Sequence, residues 1–211
     1  MPERAAAATV IRPIPVVRLA ELPALADELA ARVRTGGFEP ELIVYVETGA
    51  RLLAHELGAR LGVPLLPVWV RRGGHGWKKR LTPLAARLPV VLRDWLRRAE
   101  EISGIHRITR RVAAMSEDVS LRGKRVLLVD DASDTGRTVG VARELVFERG
   151  AAPVDVRTAV LAATTPRAQA AVDFFLFDRN CRMPWSSDSD DRAEAEARAA
   201  KLAPAHATRP I

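Results

Sequence analysis

Cysteine is nearly absent from this sequence of 211 residues, in which Cys181 stands alone. A single cysteine excludes an internal disulfide, and no cluster of cysteine and histidine has the spacing of a zinc site. No uncharged run approaches the roughly 20 residues that a membrane-spanning helix requires. No long apolar run precedes Arg12, which argues against a signal peptide. We therefore expect a cytoplasmic protein with no membrane partner.

Lysine and aromatic residues are also scarce. Lysine and arginine together number 33 against 26 acidic residues, and only four of the 33 are lysine, so arginine supplies most of the net charge of +7. A codon bias toward arginine and alanine would give the same excess. The functional interpretation is an anionic ligand, because a planar guanidinium binds phosphate oxygens in pairs. Nucleic acid is disfavoured as a partner, since aromatic residues are only 5% and do not alternate with the charges.

The apolar residues, 48% of the chain, follow two distinct patterns. Spacings of three and four predict a helix over 22–34, a second helix after residue 49 and a third around 141–147. Continuous apolar runs indicate strands that are buried on both faces. These runs are 42–46, 65–70, 126–129 and 174–177, and the more mixed stretch 154–161 is predicted as a further strand. Strands that alternate with helices predict an α/β domain with a mainly parallel, five-stranded core sheet flanked by helices.

The interval 71–122 does not fit this alternation. It opens with a basic, glycine-rich run and contains an amphipathic pattern over 84–99. An insertion of this length in an α/β domain is usually a lid or a binding lobe. We therefore predict one domain over 1–211, with a helical hood and flexible loop inserted at 71–122. Residues 186–211 are expected to form a polar tail, as a frayed or solvated helix.

The most informative stretch is VLLVDDASDTGRT, from Val126 to Thr138. Its apolar residues lead to the carboxyl end of a strand, where α/β sheets bind their ligands. Asp130 and Asp131 then face outward in this interpretation and offer acceptors to sugar hydroxyls. Gly136 permits close backbone approach, and the free amides at the start of the next helix form an anion site. The segment therefore predicts a sugar phosphate ligand.

This stretch resembles the signature of the type I phosphoribosyltransferases, which has four apolar residues, two acids, a short variable stretch and Thr-Gly-x-Thr. Val46-Glu47-Thr48-Gly49 stands where that family has its pyrophosphate loop, and Arg71-Arg72 where it has a basic pair. The segment ending in Met183-Pro184-Trp185 is similar to the closing segment of the bacterial xanthine-guanine branch. One departure is Ala132-Ser133, where the family usually has two larger apolar residues. The resemblance covers roughly residues 40–72 and 124–185.

The resemblance implies an enzyme that transfers phosphoribose from phosphoribosyl pyrophosphate (PRPP) to a ring nitrogen of a nucleobase or related heterocycle, with Mg²⁺ as cofactor. Asp130 and Asp131 would hold the ribose hydroxyls and help to position Mg²⁺. Five consecutive residues would bind the 5′-phosphate: Asp134, Thr135, Gly136, Arg137 and Thr138. Asp134 would also be the catalytic group, because it matches the aspartate that accepts a proton from the base in the 6-oxopurine branch.

The same resemblance implies a pyrophosphate site and a homodimer. Thr48 and Gly49 would meet the pyrophosphate, with Arg71 or Arg72 reaching in, from the same subunit or its partner. The base pocket departs from the 6-oxopurine branch, since Thr165 stands at the position of a lysine and Asn180 at that of a stacking ring. Phe177 or Trp185 would then supply the ring that contacts the base. These departures predict an acceptor that need not be a common purine.

Several alternatives remain open at the level of sequence. The alternative function is a regulatory protein that binds PRPP on the same fold without catalysis, although the retention of Asp134 favours an enzyme. Asp130-Asp131 after an apolar strand also resembles the start of a receiver domain. Asp134 would serve simply as a helix cap, and Arg71-Arg72 as a solvated loop.

Overall fold

The computed structural model describes residues 14–47, 49–72, 111–115 and 119–202. Its helices are α1 (Leu22–Thr35), α2 (Arg51–Leu61), α3 (Arg137–Glu148), α4 (Pro166–Gln169) and α5 (Arg192–Lys201). Its strands are β1 (Leu42–Val46), β2 (Leu65–Arg72), β3 (Arg111–Met115), β4 (Val126–Ser133), β5 (Val156–Ala163) and β6 (Phe174–Phe177). None of the helices in these ranges is long and apolar enough to cross a membrane.

The strands form one sheet in the order β3-β2-β1-β4-β5-β6. All neighbours are parallel except β2 and β3, which are antiparallel. The predicted α/β fold with a mainly parallel sheet is therefore confirmed, but the sheet has six strands, so the prediction of five is wrong. The missed strand is β3, whose sequence RVAAM has no continuous run of large apolar residues because it lies at an edge of the sheet.

Both faces of the sheet are covered, which explains the continuous apolar runs. Leu127 and Val129 of β4 pack into one core with α1 and α2, whereas Leu128 packs into a second core with α3. The first five residues of β4 are accordingly all buried. The buried residues of α1 recur at the predicted helical spacing, and the chain leaves α2 through Gly62 at a positive φ of 71°.

The predicted insertion 71–122 contributes to the sheet at both of its ends. Arg71 and Arg72 are the last residues of β2, and they pair with Val112 and Arg111 of β3. The amphipathic segment 84–99 lies outside the described residues. Arg71 and Arg72 thus belong to a strand, and the interpretation of this pair as part of a loop is wrong.

Part of the polar tail forms a helix, as expected. Helix α5 is mostly exposed, but one side of it packs against α2, and its Ala195 is fully buried. Arg198 of α5 forms an ion pair with Glu56 of α2, and the backbone amide of Leu19 donates to the Asp191 carboxylate at 2.7 Å. The apolar stripe of α5 consists largely of alanine, which gives a weak signal in the sequence.

His55 predicts how stability depends on pH. Burial lowers the pKa of His55 below 6.5, and the charge of Arg51 lowers this pKa further. The unfolded chain therefore binds a proton more readily than the folded protein between the folded pKa and 6.5. We expect the free energy of unfolding to fall as the pH drops below about 6.5, and to fall less in His55→Gln. Denaturant titrations at several pH values measure this, and equal pH slopes in the two proteins would contradict it.

Candidate functional site

Three parallel strands deliver polar residues to the same edge of the sheet. Glu47 and Gly49 follow β1, and this connection is called the β1 loop below. Asp134 and Gly136 follow β4, and Thr164 follows β5. Because β4 pairs with both β1 and β5 in parallel, the carboxyl ends of all three strands lie side by side. This is the edge at which open α/β sheets bind ligands.

Asp131 contacts several residues at this end of the sheet. Its Oδ2 atom accepts a hydrogen bond from the indole Nε1 of Trp185 at 2.8 Å, and its Oδ1 accepts from the backbone amide of Ala132 at 2.7 Å. A Cβ atom added to Gly49 would lie 2.5 Å from Asp131 Oδ2. The β1 loop, the second acid of the motif and the closing tryptophan are therefore in direct contact, as a shared ligand would need.

Asp130 differs from its neighbour. Strand β4 continues through Ser133, so successive side chains point to opposite faces of the sheet. Asp130 is only 4% exposed, and one of its oxygens accepts from the backbone amide of Asp131 at 2.9 Å. The expectation that both acids face outward is wrong for Asp130. Asp131, which is half-buried, is the more exposed member of the pair.

Asp134 is exposed and held by two hydroxyls. Its carboxylate accepts from Thr164 Oγ1 at 2.7 Å, and its backbone carbonyl accepts from Thr165 Oγ1 at 2.6 Å. Gly136, rather than Asp134, is the N-cap of α3, so the interpretation of Asp134 as a helix cap is wrong. Thr164 is a residue that the sequence analysis missed. Its position as a polar residue directly after a buried strand was the feature of the sequence that could have identified it.

The start of α3 has the geometry of an anion site. Gly136 has φ of +72°, a left-handed conformation that favours glycine, and Arg137 is the first helical residue. The amides of the first turn have no intrahelical acceptor, and the helix dipole makes this end positive. Thr135 and Arg137 are exposed, and Thr138 lies in the first turn of the helix. The five residues proposed for the 5′-phosphate are thus consecutive around one helix start.

The other predicted site residues are less closely grouped. Thr48 lies outside the described residues. Phe177 ends β6 and, like Trp185, is partly buried against the core. Asn180 is exposed. Thr165 caps α4 by accepting from the amide of Ala168 at 3.1 Å, so this hydroxyl has a structural role.

The donor set fits Mg²⁺ bound jointly with a phosphorylated substrate. Among the described residues, no group of three or more His, Cys, Asp or Glu side chains lies close enough to hold a metal. Mg²⁺ typically binds through one or two carboxylates, with substrate phosphates and water completing its shell. The half-buried carboxylate of Asp131, which packs against Gly49, matches this mode of binding.

Gly49→Ala tests this arrangement. The added methyl group would force the Asp131 carboxylate away from its present position, since Cβ would approach Oδ2 to 2.5 Å. We expect the affinity for PRPP to fall by about tenfold or more, as when a buried charged group loses its geometry. Calorimetric titration with PRPP and Mg²⁺ measures this. Gly140→Ala is the matched control, because no atom lies within 4 Å of a Cβ there. Unchanged affinity in Gly49→Ala would show that the contact with Asp131 does not matter for binding.

Comparison with solved structures shows the same fold in several proteins. The purine phosphoribosyltransferase from Pyrococcus horikoshii Ot3 has 22% identity and a TM-score of 0.56, with 82% of this chain and 93% of that chain covered. The xanthine-guanine-hypoxanthine phosphoribosyltransferase from Helicobacter pylori has 14% identity and a TM-score of 0.59, with 88% and 99% covered. A hypothetical protein from Neisseria gonorrhoeae with bound ppGpp has 17% identity and a TM-score of 0.51, with 90% and 98% covered.

Sequence comparison identifies the family. No curated protein matches the chain. The family model described as phosphoribosyl transferase domain matches residues 18–187, which include the sheet edge and every site residue discussed above. The chain therefore belongs to the phosphoribosyl transferase domain family and is a phosphoribosyltransferase.

Proposed function

We propose that the protein transfers the 5-phosphoribosyl group of PRPP to a ring nitrogen of a nucleobase or related heterocycle and releases pyrophosphate, with Mg²⁺ as cofactor. The observation that carries this proposal is the contact of Asp131 with both Gly49 and Trp185, next to the start of α3. This edge combines an acceptor for sugar hydroxyls with a site for phosphate. PRPP contains both groups.

Asp131 binds the ribose in this proposal. Each of its oxygens already accepts one N–H bond, which fixes the carboxylate and leaves further lone pairs for a hydroxyl or Mg²⁺. Mg²⁺, when bound there, would offset the negative charge on the departing pyrophosphate. Asp130 supports the site from within the sheet, since it accepts from the amide of Asp131. The fixed carboxylate also favours the positive charge that develops on the ribose ring as the leaving group departs.

Asp134 accepts the proton that the acceptor base loses. As the ring nitrogen forms its bond to the anomeric carbon, the bond from that carbon to the pyrophosphate oxygen breaks. The proton lost by the nitrogen moves to the Asp134 carboxylate, which is exposed and oriented by Thr164. Such proton acceptance contributes typically about 10²–10⁴-fold to a rate.

The acceptor pocket lacks a cation at position 165. Thr165 offers a neutral hydroxyl that is engaged with Asp134 and with α4, so it supplies no charged donor to an exocyclic oxygen of a purine. A charged hydrogen bond contributes about 1.5–3 kcal/mol, and its loss weakens recognition by one to two orders of magnitude. We therefore propose a specialised heterocycle as acceptor, rather than hypoxanthine or guanine.

Release of pyrophosphate tests the proposed function. The assay contains PRPP, Mg²⁺ and one of hypoxanthine, guanine, xanthine, adenine or orotate, followed by less common heterocycles. We expect weak turnover of the five bases and faster turnover of a less common one. A kcat/KM of about 10⁵ M⁻¹s⁻¹ with guanine or hypoxanthine, well within the ordinary enzyme range, would contradict the proposed acceptor class. Binding of PRPP without turnover of any base would instead support the regulatory alternative.

A homodimer with sites completed across the interface is part of the proposal. It rests on the family resemblance and on the apolar stripe at 84–99. Light scattering at micromolar concentration decides it. A monomer of 23.1 kDa would contradict this part of the proposal.

A further inference from the structure

Helix α5 lies outside the family-matched residues 18–187, yet it forms a wall beside the site. It lines an open cavity of about 330 Å³ together with the β1 loop, the start of α2 and Trp185. The lining includes Glu47, Gly49 and Arg51 on one side and Ala199 on the other. Because Gly49 and Trp185 both contact Asp131, this cavity adjoins the proposed PRPP site.

Arg51 connects the β1 loop to α5. Its Nη1 donates to the backbone carbonyl of Ala199 at 2.8 Å, and its Nη2 forms an ion pair with the Glu47 carboxylate. The Glu47 side chain is only 6% exposed. Glu47 Oε2 and Arg51 Nε are buried and have no hydrogen-bond partner among the described residues. The Glu47 carboxylate is thus enclosed, whereas the Arg51 side chain is 23% exposed and reaches α5 through the Ala199 carbonyl.

The electrostatics of this pair matter for an anionic ligand. A buried carboxylate in the β1 loop would repel pyrophosphate and would be costly to leave unpaired. Arg51 neutralises Glu47, and the carboxyl end of α5 favours a cation at that place because the helix dipole is negative there. Nη1 and Nη2 are both engaged with protein atoms, so the guanidinium ties Glu47 to α5.

We propose that Arg51 is a positioning residue for PRPP binding. It holds Glu47, two residues before Gly49, and thereby keeps Gly49 against the Asp131 carboxylate. The Ala199 carbonyl holds Arg51 in turn, which makes α5 a functional part of the site. This inference rests on the proposed function, because it concerns the pyrophosphate end of the same ligand.

The test measures PRPP binding with Mg²⁺ by calorimetry, which requires no acceptor base. We expect Arg51→Gln to weaken binding by about tenfold to a hundredfold, because it leaves Glu47 buried and unpaired. The double variant Glu47→Gln with Arg51→Gln should recover to within about threefold of the wild type, since no buried charge remains. In steady-state assays, the KM for PRPP should rise in Arg51→Gln while the KM for the acceptor stays unchanged.

Two further variants secure the interpretation. Arg60→Gln is the matched control, because Arg60 also lies on α2 and pairs with Asp27 and Glu56, away from the β1 loop. It should lower stability but leave PRPP affinity unchanged. Arg51→Lys keeps the positive charge beside Glu47, so the variant should still fold. Its affinity for PRPP should fall in part, since an ammonium group cannot contact Glu47 and Ala199 at the same time, as the guanidinium does.

Each outcome separates the inference from the proposed function. Failure of the wild type to bind PRPP would overturn the proposed function and this inference with it. If the wild type binds PRPP and either Arg51→Gln or Arg51→Lys binds PRPP with the same affinity, this inference is overturned but the proposed function is not. A double variant that binds as poorly as Arg51→Gln would show that Arg51 contacts the ligand directly, which also overturns a positioning role.

Discussion

Asp131→Ala should abolish the thermal stabilisation that PRPP and Mg²⁺ give to the wild-type protein. A ligand at about 100 times its Kd adds about 2.7 kcal/mol to the free energy of unfolding. For a chain of this size, that raises the melting temperature by roughly 5–10 °C. Asp131 is the accessible carboxylate that touches both Gly49 and Trp185, so its removal takes away the acceptor for the ribose hydroxyls. Differential scanning fluorimetry with and without PRPP and Mg²⁺ measures the shift.

Asp190→Ala is the matched control for this experiment. The Asp190 side chain is 82% exposed and pairs with Arg18, so it should leave the ligand-induced shift intact. The unliganded melting temperature of each variant separates the loss of binding from the loss of folding. If Asp131→Ala shifted as much as the wild type, the assignment of Asp131 to the sugar would be wrong.

Strand β4 shows how much of the fold the sequence predicts and where prediction stops. The apolar run 126–129 predicts a buried strand, and the structure confirms it. The strand nevertheless continues through Ser133, although Asp and Ser favour turns. Pairing with β5 carries it on, since Ala132 and Ser133 are still in register with Ala162 and Ala163. Strand pairing depends on tertiary structure, which the sequence pattern does not reveal. The prediction that Asp130 faces outward was therefore wrong, because Asp130 is buried within this strand.

The contacts that define the site could not be predicted for a similar reason. Trp185 and Asp131 are 54 positions apart, and Thr164 lies 30 positions from Asp134. Periodicity reports which face of an element is buried, but it does not report which two polar side chains meet. The residue pattern indicated Asp131 as an acceptor for sugar hydroxyls, and the resemblance to a family added the role of Asp134. Neither indicated Arg51, whose proposed role depends on α5 outside the matched segment.

Asp134→Asn should separate catalysis from PRPP binding. Asparagine keeps the shape of the side chain and can still accept from Thr164, but it does not take up a proton. We expect kcat for pyrophosphate release to fall by about 10²–10⁴-fold, the usual contribution of a proton acceptor. The thermal shift with PRPP should remain, because the backbone carbonyl of Asp134 is held by Thr165 and the start of α3 is unchanged. Single-turnover assays compare the chemical step directly.

Thr164→Val tests whether the orientation of Asp134 matters for catalysis, because it removes the hydroxyl that orients Asp134 while the carboxylate remains. Losing one hydrogen bond to a charged group corresponds to about 1.5–3 kcal/mol, so kcat should fall by roughly tenfold to a hundredfold, less than in Asp134→Asn. Thr35→Val is the control, since its hydroxyl donates to Ala31 on the surface of α1. In the double variant, Thr164→Val should cause no further loss of kcat beyond that of Asp134→Asn, because Thr164 acts through Asp134.

For Asp134→Asn alone, turnover within about threefold of the wild type would contradict the catalytic role and leave Asp134 as a residue of the phosphate-binding loop.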